Sequence, residues 1–192
     1  MRRGLTLLCL ALCLGACAPQ GEWRLKNITG LTPDLEFTMT DDAGRPVSAA
    51  AYRGKTVLLF FGYTHCPDVC PTTLARLSAA IGGLREHRDG VRVLFVTVDP
   101  ARDTAALMAN YVHAFGPAVV GLRGTPQELA ALARRYRVSY TLRAPDATGA
   151  YDVAHSSGVF IFDRGGRARL LARPDDPAPA ITADLARLLA GD

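Results

Sequence analysis

Cysteine and histidine are scarce in this chain: five cysteines and four histidines among 192 residues. So few soft donors leave few ways to assemble a metal site. Long apolar runs are missing as well. The one N-terminal run, Leu5 to Leu14, is too short to span a bilayer comfortably, and no second run is longer. Nothing recurs at the period of a solenoid repeat, which excludes that class. Charge of one sign is also lacking. The net charge is only +4, and the Lys and Arg residues are interspersed with Asp and Glu. That pattern is a solvated surface, not a nucleic-acid footprint, so no nucleic-acid partner is expected.

What is present begins at the N-terminus. Arg2 and Arg3 form a basic region before the apolar run, and Leu14-Gly15-Ala16-Cys17 follows it. Small residues before a cysteine in this position resemble the lipobox of bacterial lipoproteins. The resemblance implies removal of residues 1–16 and lipid modification of Cys17; ordinary secretory cleavage near Ala16 or Ala18 is the alternative. Both imply export. Acyl chains on Cys17 would anchor the protein to a membrane face in the cell envelope. Cys9 and Cys13 leave with the signal, so Cys66 and Cys70 remain as the free thiols of the mature chain. In an oxidising compartment they tend toward a disulfide. The expected organisation is a signal over 1–16, a polar tether over 17–34 and one folded domain over 35–192.

Within the domain, Leu35 to Thr40 alternates as a half-buried strand and turns back at Asp41–Gly44. Val57 to Phe61 is a continuous apolar run, expected as a strand buried on both faces. A helix should open at Pro71, with Leu74, Leu77, Ile81 and Leu84 on one face. Val91 to Val98 is a second apolar strand. Asp103 or Thr104 caps the next helix, whose buried stripe is Leu107, Met108, Tyr111, Val112 and Phe115. Ala118 to Leu122 is a short strand, and Thr125-Pro126-Gln127-Glu128 reads as a capping box. Val138 to Leu142 is a short extended piece. Gly158 to Asp163 and Ala168 to Ala172 form a hairpin around Arg164–Arg167. Ile181 to Leu189 closes the chain as a helix, with Pro174, Pro177 and Pro179 before it. Helices alternating with apolar strands imply a covered α/β sheet. A dithiol on the first strand-to-helix turn, plus a terminal hairpin and helix, resembles the thioredoxin-like arrangement. An extra N-terminal β-hairpin and an inserted strand and helix are added to it.

The chemistry centres on Gly62 to Pro71. Cys66 and Cys70 stand four apart where strand gives way to helix. In one helical turn their Cβ atoms lie about 5–6 Å apart, which suits a shared metal ion or, with adjustment, a disulfide. A helix N-terminus favours thiolate, so a lowered cysteine pKa is expected. Thioredoxin-type dithiols have two intervening residues; here there are three, Pro67-Asp68-Val69, which leaves room for an ion. Two soft thiolates suit Cu(I), zinc or an iron–sulfur cluster. Zinc sites and clusters usually take four ligands, whereas two sulfurs and one imidazole suit copper. By position alone, His87 and His113 are surface residues. His65 diverges from the adjacent Cys66, although its positive form would favour a thiolate. A lone histidine such as His155 is more often a structural hydrogen-bonder.

The motif Gly62-Tyr63-Thr64-His65-Cys66-Pro67-Asp68-Val69-Cys70-Pro71-Thr72 resembles the signature of the Sco/SenC family of copper-binding assembly proteins. Thr97-Val98-Asp99-Pro100 with Arg102-Asp103-Thr104, and Asp152 to Ser156 before the strand ending in Asp163, resemble its second and third motifs. The resemblance runs from Phe37 to Leu189. It implies a thioredoxin-like fold and one copper, as Cu(I) or Cu(II), on Cys66, Cys70 and His155. It also implies Asp99 as an outer-sphere carboxylate. The implied role is a metallochaperone, not an enzyme, delivering copper to the CuA centre of cytochrome c oxidase subunit II. A periplasmic copper chaperone or a dithiol reductant is a further expected partner. The alternative is a thiol-disulfide reductase that keeps the CuA-site cysteines reduced, with Cys66 attacking and Cys70 resolving. A peroxide-reducing thioredoxin relative is a third reading. The family's usual anchor is an N-terminal transmembrane helix; the lipobox here departs from it.

Overall fold

A computed structural model describes residues 22–147 and 151–191. The expected signal and Cys17 lie outside the described residues. No helix among the described residues is long and apolar enough to cross a membrane.

The sheet grows outward from β4 (Thr56–Gly62), in which all seven residues are buried. A strand apolar at every position needs cover on both faces, and parallel neighbours joined by helical crossovers supply it. α1 (Val69–Gly82) leads to β5 (Val91–Thr97), parallel to β4 in register from Thr56↔Val91 to Gly62↔Thr97. α2 (Ala105–His113) leads to β6 (Val119–Arg123), parallel to β5. On the other side of β4 runs β9 (Val159–Phe162), antiparallel, which turns through residues 163–167 into β10 (Ala168–Ala172). Beyond β6 lies the N-terminal hairpin of β2 (Thr38–Asp41) and β3 (Pro46–Ser48). α3 (Pro126–Arg135) opens on the expected capping box: Thr125 Oγ1 accepts from Glu128 N, and Glu128 accepts from Thr125 N. α4 (Ala178–Ala190) packs on α1, where Thr182 Oγ1 donates to Ala80 O at 2.9 Å. The result is the expected thioredoxin-like α/β fold with an added hairpin and an inserted strand and helix.

Several local expectations are corrected. Residues 22–34 are docked rather than a free tether. Leu25 and Ile28 are buried, β1 (Lys26–Asn27) pairs with β10, and Leu25 N donates to the buried Asp184 Oδ2 at 2.8 Å. The strand expected from Leu35 begins at Thr38, although Leu35 and Phe37 are still buried. α1 begins at Val69, two residues before Pro71. α4 begins at Ala178 and includes Pro179. Both prolines sit in a first turn, where the missing N–H would have had no helical partner. Thr104, not Asp103, caps α2, accepting from Leu107 N. Leu107 itself is exposed.

The expected extended piece at Val138–Leu142 is realised as β7 (Tyr140–Leu142). It pairs with β8 (Val153–His155), a strand the sequence pattern does not announce. This two-stranded hairpin is separate from the main sheet.

Candidate metal centre

The site is built at the end of β4. Gly62 is the last residue of that strand, and a Cβ on it would stand 2.9 Å from Cys70 Sγ and 2.5 Å from Phe95 Cε2. Only a residue without a side chain leaves the sulfur this space. The loop that follows is pinned by Asp103, whose side chain is fully buried. Thr64 donates to it twice, through its N–H at 3.0 Å and its hydroxyl at 2.6 Å. Thr97 donates from the end of β5 at 2.6 Å. Three donors to one buried carboxylate fix the loop against the sheet. Sequence reasoning treated Asp103 as a cap or a motif residue and missed this role. The threonines at 64 and 97 were the available signal.

Cys66 is half-buried in the loop, and Cys70 is fully buried in the first turn of α1. The backbone N–H of Cys70 donates to Cys66 Sγ at 3.4 Å. Both are free thiols, not the Cys66–Cys70 disulfide expected for an oxidised form. The expected lowering of the thiol pKa is reversed at Cys70. Burial pushes this thiol well above the ordinary cysteine range, and the hydrogen bond and charge of Cys66 add to that. Loss of hydration outweighs the helix terminus. A thiol in this setting gives up its proton when a cation takes the proton's place.

His155 comes to the sulfurs from the end of β8, 85 residues along the chain from Cys70. Its Nε2 lies 3.4 Å from Cys70 Sγ. Its Nδ1 is 2.9 Å from the carbonyl of Ser156. A carbonyl only accepts, so Nδ1 carries a proton, and Nε2 is the ring nitrogen turned toward the sulfur. The ring is set edge-on to Tyr63, at 6.0 Å and 89°, and rests near Phe60 at 6.2 Å. The ligand atoms of Cys66, Cys70 and His155 all lie within 4.8 Å of one another. Among the described residues this is the one group of its kind. Two soft sulfurs and one imidazole nitrogen at this spacing fit a single soft ion.

The other sequence-stated residues are placed differently. Asp99 is buried but touches no ligand: its carboxylate accepts from Arg102 Nε and from the Tyr151 hydroxyl. His65 turns toward Thr64 Oγ1 at 3.1 Å and Asp103 Oδ1 at 3.5 Å, with its side chain half exposed. His87 lies beside Glu86 at 3.7 Å, and His113 beside Asp42 at 3.0 Å, both outside the group. A cleft of about 350 Å³ opens over Cys66 and the imidazole, lined also by Tyr63, Pro67, Val69, Arg143 and Asp152, with Cys70 buried beneath it.

Comparisons with known proteins show which family the chain resembles. The SCO1/SenC family model matches residues 29–190. The mitochondrial SCO2 homolog of Mus musculus is 36% identical over 160 residues, covering 80% of this chain and 63% of that protein. The mitochondrial SCO2 homolog of Bos taurus is 42% identical over 134 residues, covering 68% and 50%. The chain thus spans half to two thirds of these relatives. The solved structure of Bradyrhizobium japonicum ScoI with copper bound has a TM-score of 0.75 and 38% identity, covering 82% of this chain and 100% of that one. With the model match extending over most of its residues, the chain belongs to the SCO1/SenC family.

Proposed function

We propose that this protein is a copper metallochaperone that holds one copper ion on Cys66, Cys70 and His155 and passes it to the CuA centre of cytochrome c oxidase subunit II. One observation carries the reading: the ligand atoms of two cysteines and a histidine lie within 4.8 Å of one another, with the imidazole Nε2 3.4 Å from the buried sulfur. The copper-bound ScoI relative and the SCO1/SenC membership support it. Three donors leave the cargo ion open toward the cleft. An incoming ligand of the acceptor binds the ion before the last donor lets go, and transfer proceeds through shared coordination. A periplasmic copper chaperone or a dithiol reductant is the further partner of this reading, the one as source of copper, the other to keep the cysteines reduced. Lipid on Cys17, after loss of residues 1–16, holds the domain at a membrane face in the cell envelope.

The second reading is a thiol-disulfide reductase that keeps the acceptor cysteines reduced. The unequal burial of the two thiols supports it: Cys66 is the less buried and lines the cleft as the attacking thiol, and Cys70 is buried as the resolving thiol. The histidine separates the readings. Reduced protein titrated with Cu(I) should bind one equivalent, and His155→Ala should bind it measurably more weakly while retaining dithiol exchange. A His155→Ala variant with unchanged copper affinity would sink the carrier reading in favour of the reductase.

A further inference from the structure

The hairpin that carries His155 has a fastening of its own, apart from the metal ligands. Three pairs join β7 to β8, and an isolated two-stranded hairpin is marginal at best. Something else must hold β8 against the body of the domain. Tyr151, four residues before His155, is gripped in three ways. Its hydroxyl donates to Asp99 Oδ1 at 2.9 Å. Its backbone carbonyl accepts from Arg102 Nη1 at 2.8 Å. Its ring lies under the Arg102 guanidinium, with 3.5 Å from the central carbon to the ring centroid. Arg102 is held in turn, since its Nε donates to the buried Asp99. Its guanidinium also stands 5.7 Å from the ring centre of Tyr63, the residue that meets the His155 ring edge-on. Because Asp99 is fully buried and Arg102 largely so, this ion pair is little screened.

We infer that Arg102 is a positioning residue. By clamping Tyr151 against Asp99 it holds β8 so that the His155 imidazole stands over the two sulfurs, and release of the clamp is the motion that withdraws the imidazole and opens copper to an incoming ligand. This inference rests on the carrier reading above. Asp99 thereby acts on the site through Arg102 and Tyr151, by geometry.

The test uses Tyr151→Ala, Tyr151→Phe and Arg102→Lys in the mature chain. Tyr151→Phe removes only the hydroxyl bond and keeps the ring. Arg102→Lys keeps the charge and loses the planar fork. In metal-free protein, amide hydrogen exchange across residues 153–155 should rise about tenfold for Tyr151→Ala and Arg102→Lys, and less for Tyr151→Phe, as expected from losing a cation–π contact and a charge-assisted hydrogen bond. With copper loaded, transfer to a Cu(I) chelator should quicken to a similar degree, and the nitrogen hyperfine signal of the Cu(II) form should weaken. Placed on a His155→Ala background, Tyr151→Ala should add nothing to the transfer rate. Equal acceleration on that background, or unchanged exchange at residues 153–155, would overturn the inference. Should Tyr151→Ala not fold, Tyr151→Phe and Arg102→Lys carry the same comparison. A wild-type chain that binds no copper would overturn the carrier reading and the transfer half of this inference. The exchange measured without metal would still decide the positioning half.

Discussion

The sulfur of Cys70 occupies the space that a side chain on Gly62 would need. A Cβ there would stand 2.9 Å from Sγ and 2.5 Å from the Phe95 ring. Gly62 does not have a positive φ, so the backbone itself would accept alanine. The conflict is purely one of packing. Gly62→Ala should cost about 1–3 kcal/mol, the usual range for forcing a methyl into a packed interior. Because the sulfur is one of the two atoms that must yield, copper affinity should fall together with stability. Chemical denaturation and copper titration of the same preparation check this. A variant that loses stability and keeps full copper affinity would show that only the Phe95 ring moves.

Asp103 makes a sharper demand, for an acceptor and not merely for volume. It receives three donors, two of them from Thr64 in the loop leading to Cys66. Asp103→Asn keeps the shape, but it removes the negative charge that three donors share and leaves one acceptor oxygen where there were two. A loss of about 2–4 kcal/mol is expected from breaking charge-assisted bonds and leaving a buried group unsatisfied. The loop carrying Cys66 should then exchange its amides faster than β5 does, which hydrogen exchange resolves residue by residue.

The contrast between Gly62 and Asp103 bears on what the sequence makes visible. Interactions near in sequence were legible. The apolar run of β4, the Thr125–Glu128 capping box and the turn before β10 each carry their signal within a few residues. Features settled by distant partners were not. Leu25 and Ile28 sit in a polar stretch too short to show a period, and their burial depends on β10 and Asp184. The start of α1 was misread because proline is tolerated anywhere in a first turn. The Cys70 thiol was expected to ionise easily because a helix terminus is a local feature; the burial that reverses this comes from the tertiary fold. His155 shows the limit most plainly. Nothing local marks it as a partner for sulfur; the family motif alone singles it out in the sequence, and the fold brings its Nε2 to 3.4 Å from Cys70 Sγ.

The docked N-terminal segment gives a stability prediction. Leu25 is buried, and its N–H is held by Asp184 Oδ2 at 2.8 Å. Leu25→Ala should destabilise the domain by about 2–3 kcal/mol, toward the lower end for a buried leucine because the segment lies at a sheet edge and can settle. Asp184→Ala should cost about 1–3 kcal/mol by leaving the Leu25 N–H buried and unpaired. Urea midpoints of the two variants check both. A free tether would make both substitutions silent.

Acid sensitivity follows from Asp163, in the turn between β9 and β10. Burial alone would raise its pKa. The Arg167 backbone N–H and guanidinium, with Arg169 beside them, outweigh burial and hold the carboxyl below its ordinary value of 3.8. A carboxyl with a lower pKa in the folded chain binds its proton more readily when unfolded. Its contribution to stability is therefore complete above the unfolded value and is lost as pH falls through the folded one. Melting temperature should drop as pH falls below the ordinary carboxyl value of 3.8 and on through the lower value of the folded chain. Asp163→Asn should be less stable at neutral pH, because it gives up the ion pairs with Arg167 and Arg169, and its melting temperature should vary less with acid over the same interval. The difference between the two curves isolates this carboxylate from Asp41 and Asp176, whose pKa values are also lowered and which titrate in both proteins. Parallel curves for the two proteins would mean that the Asp163 pairing is already screened by solvent and contributes nothing to acid stability.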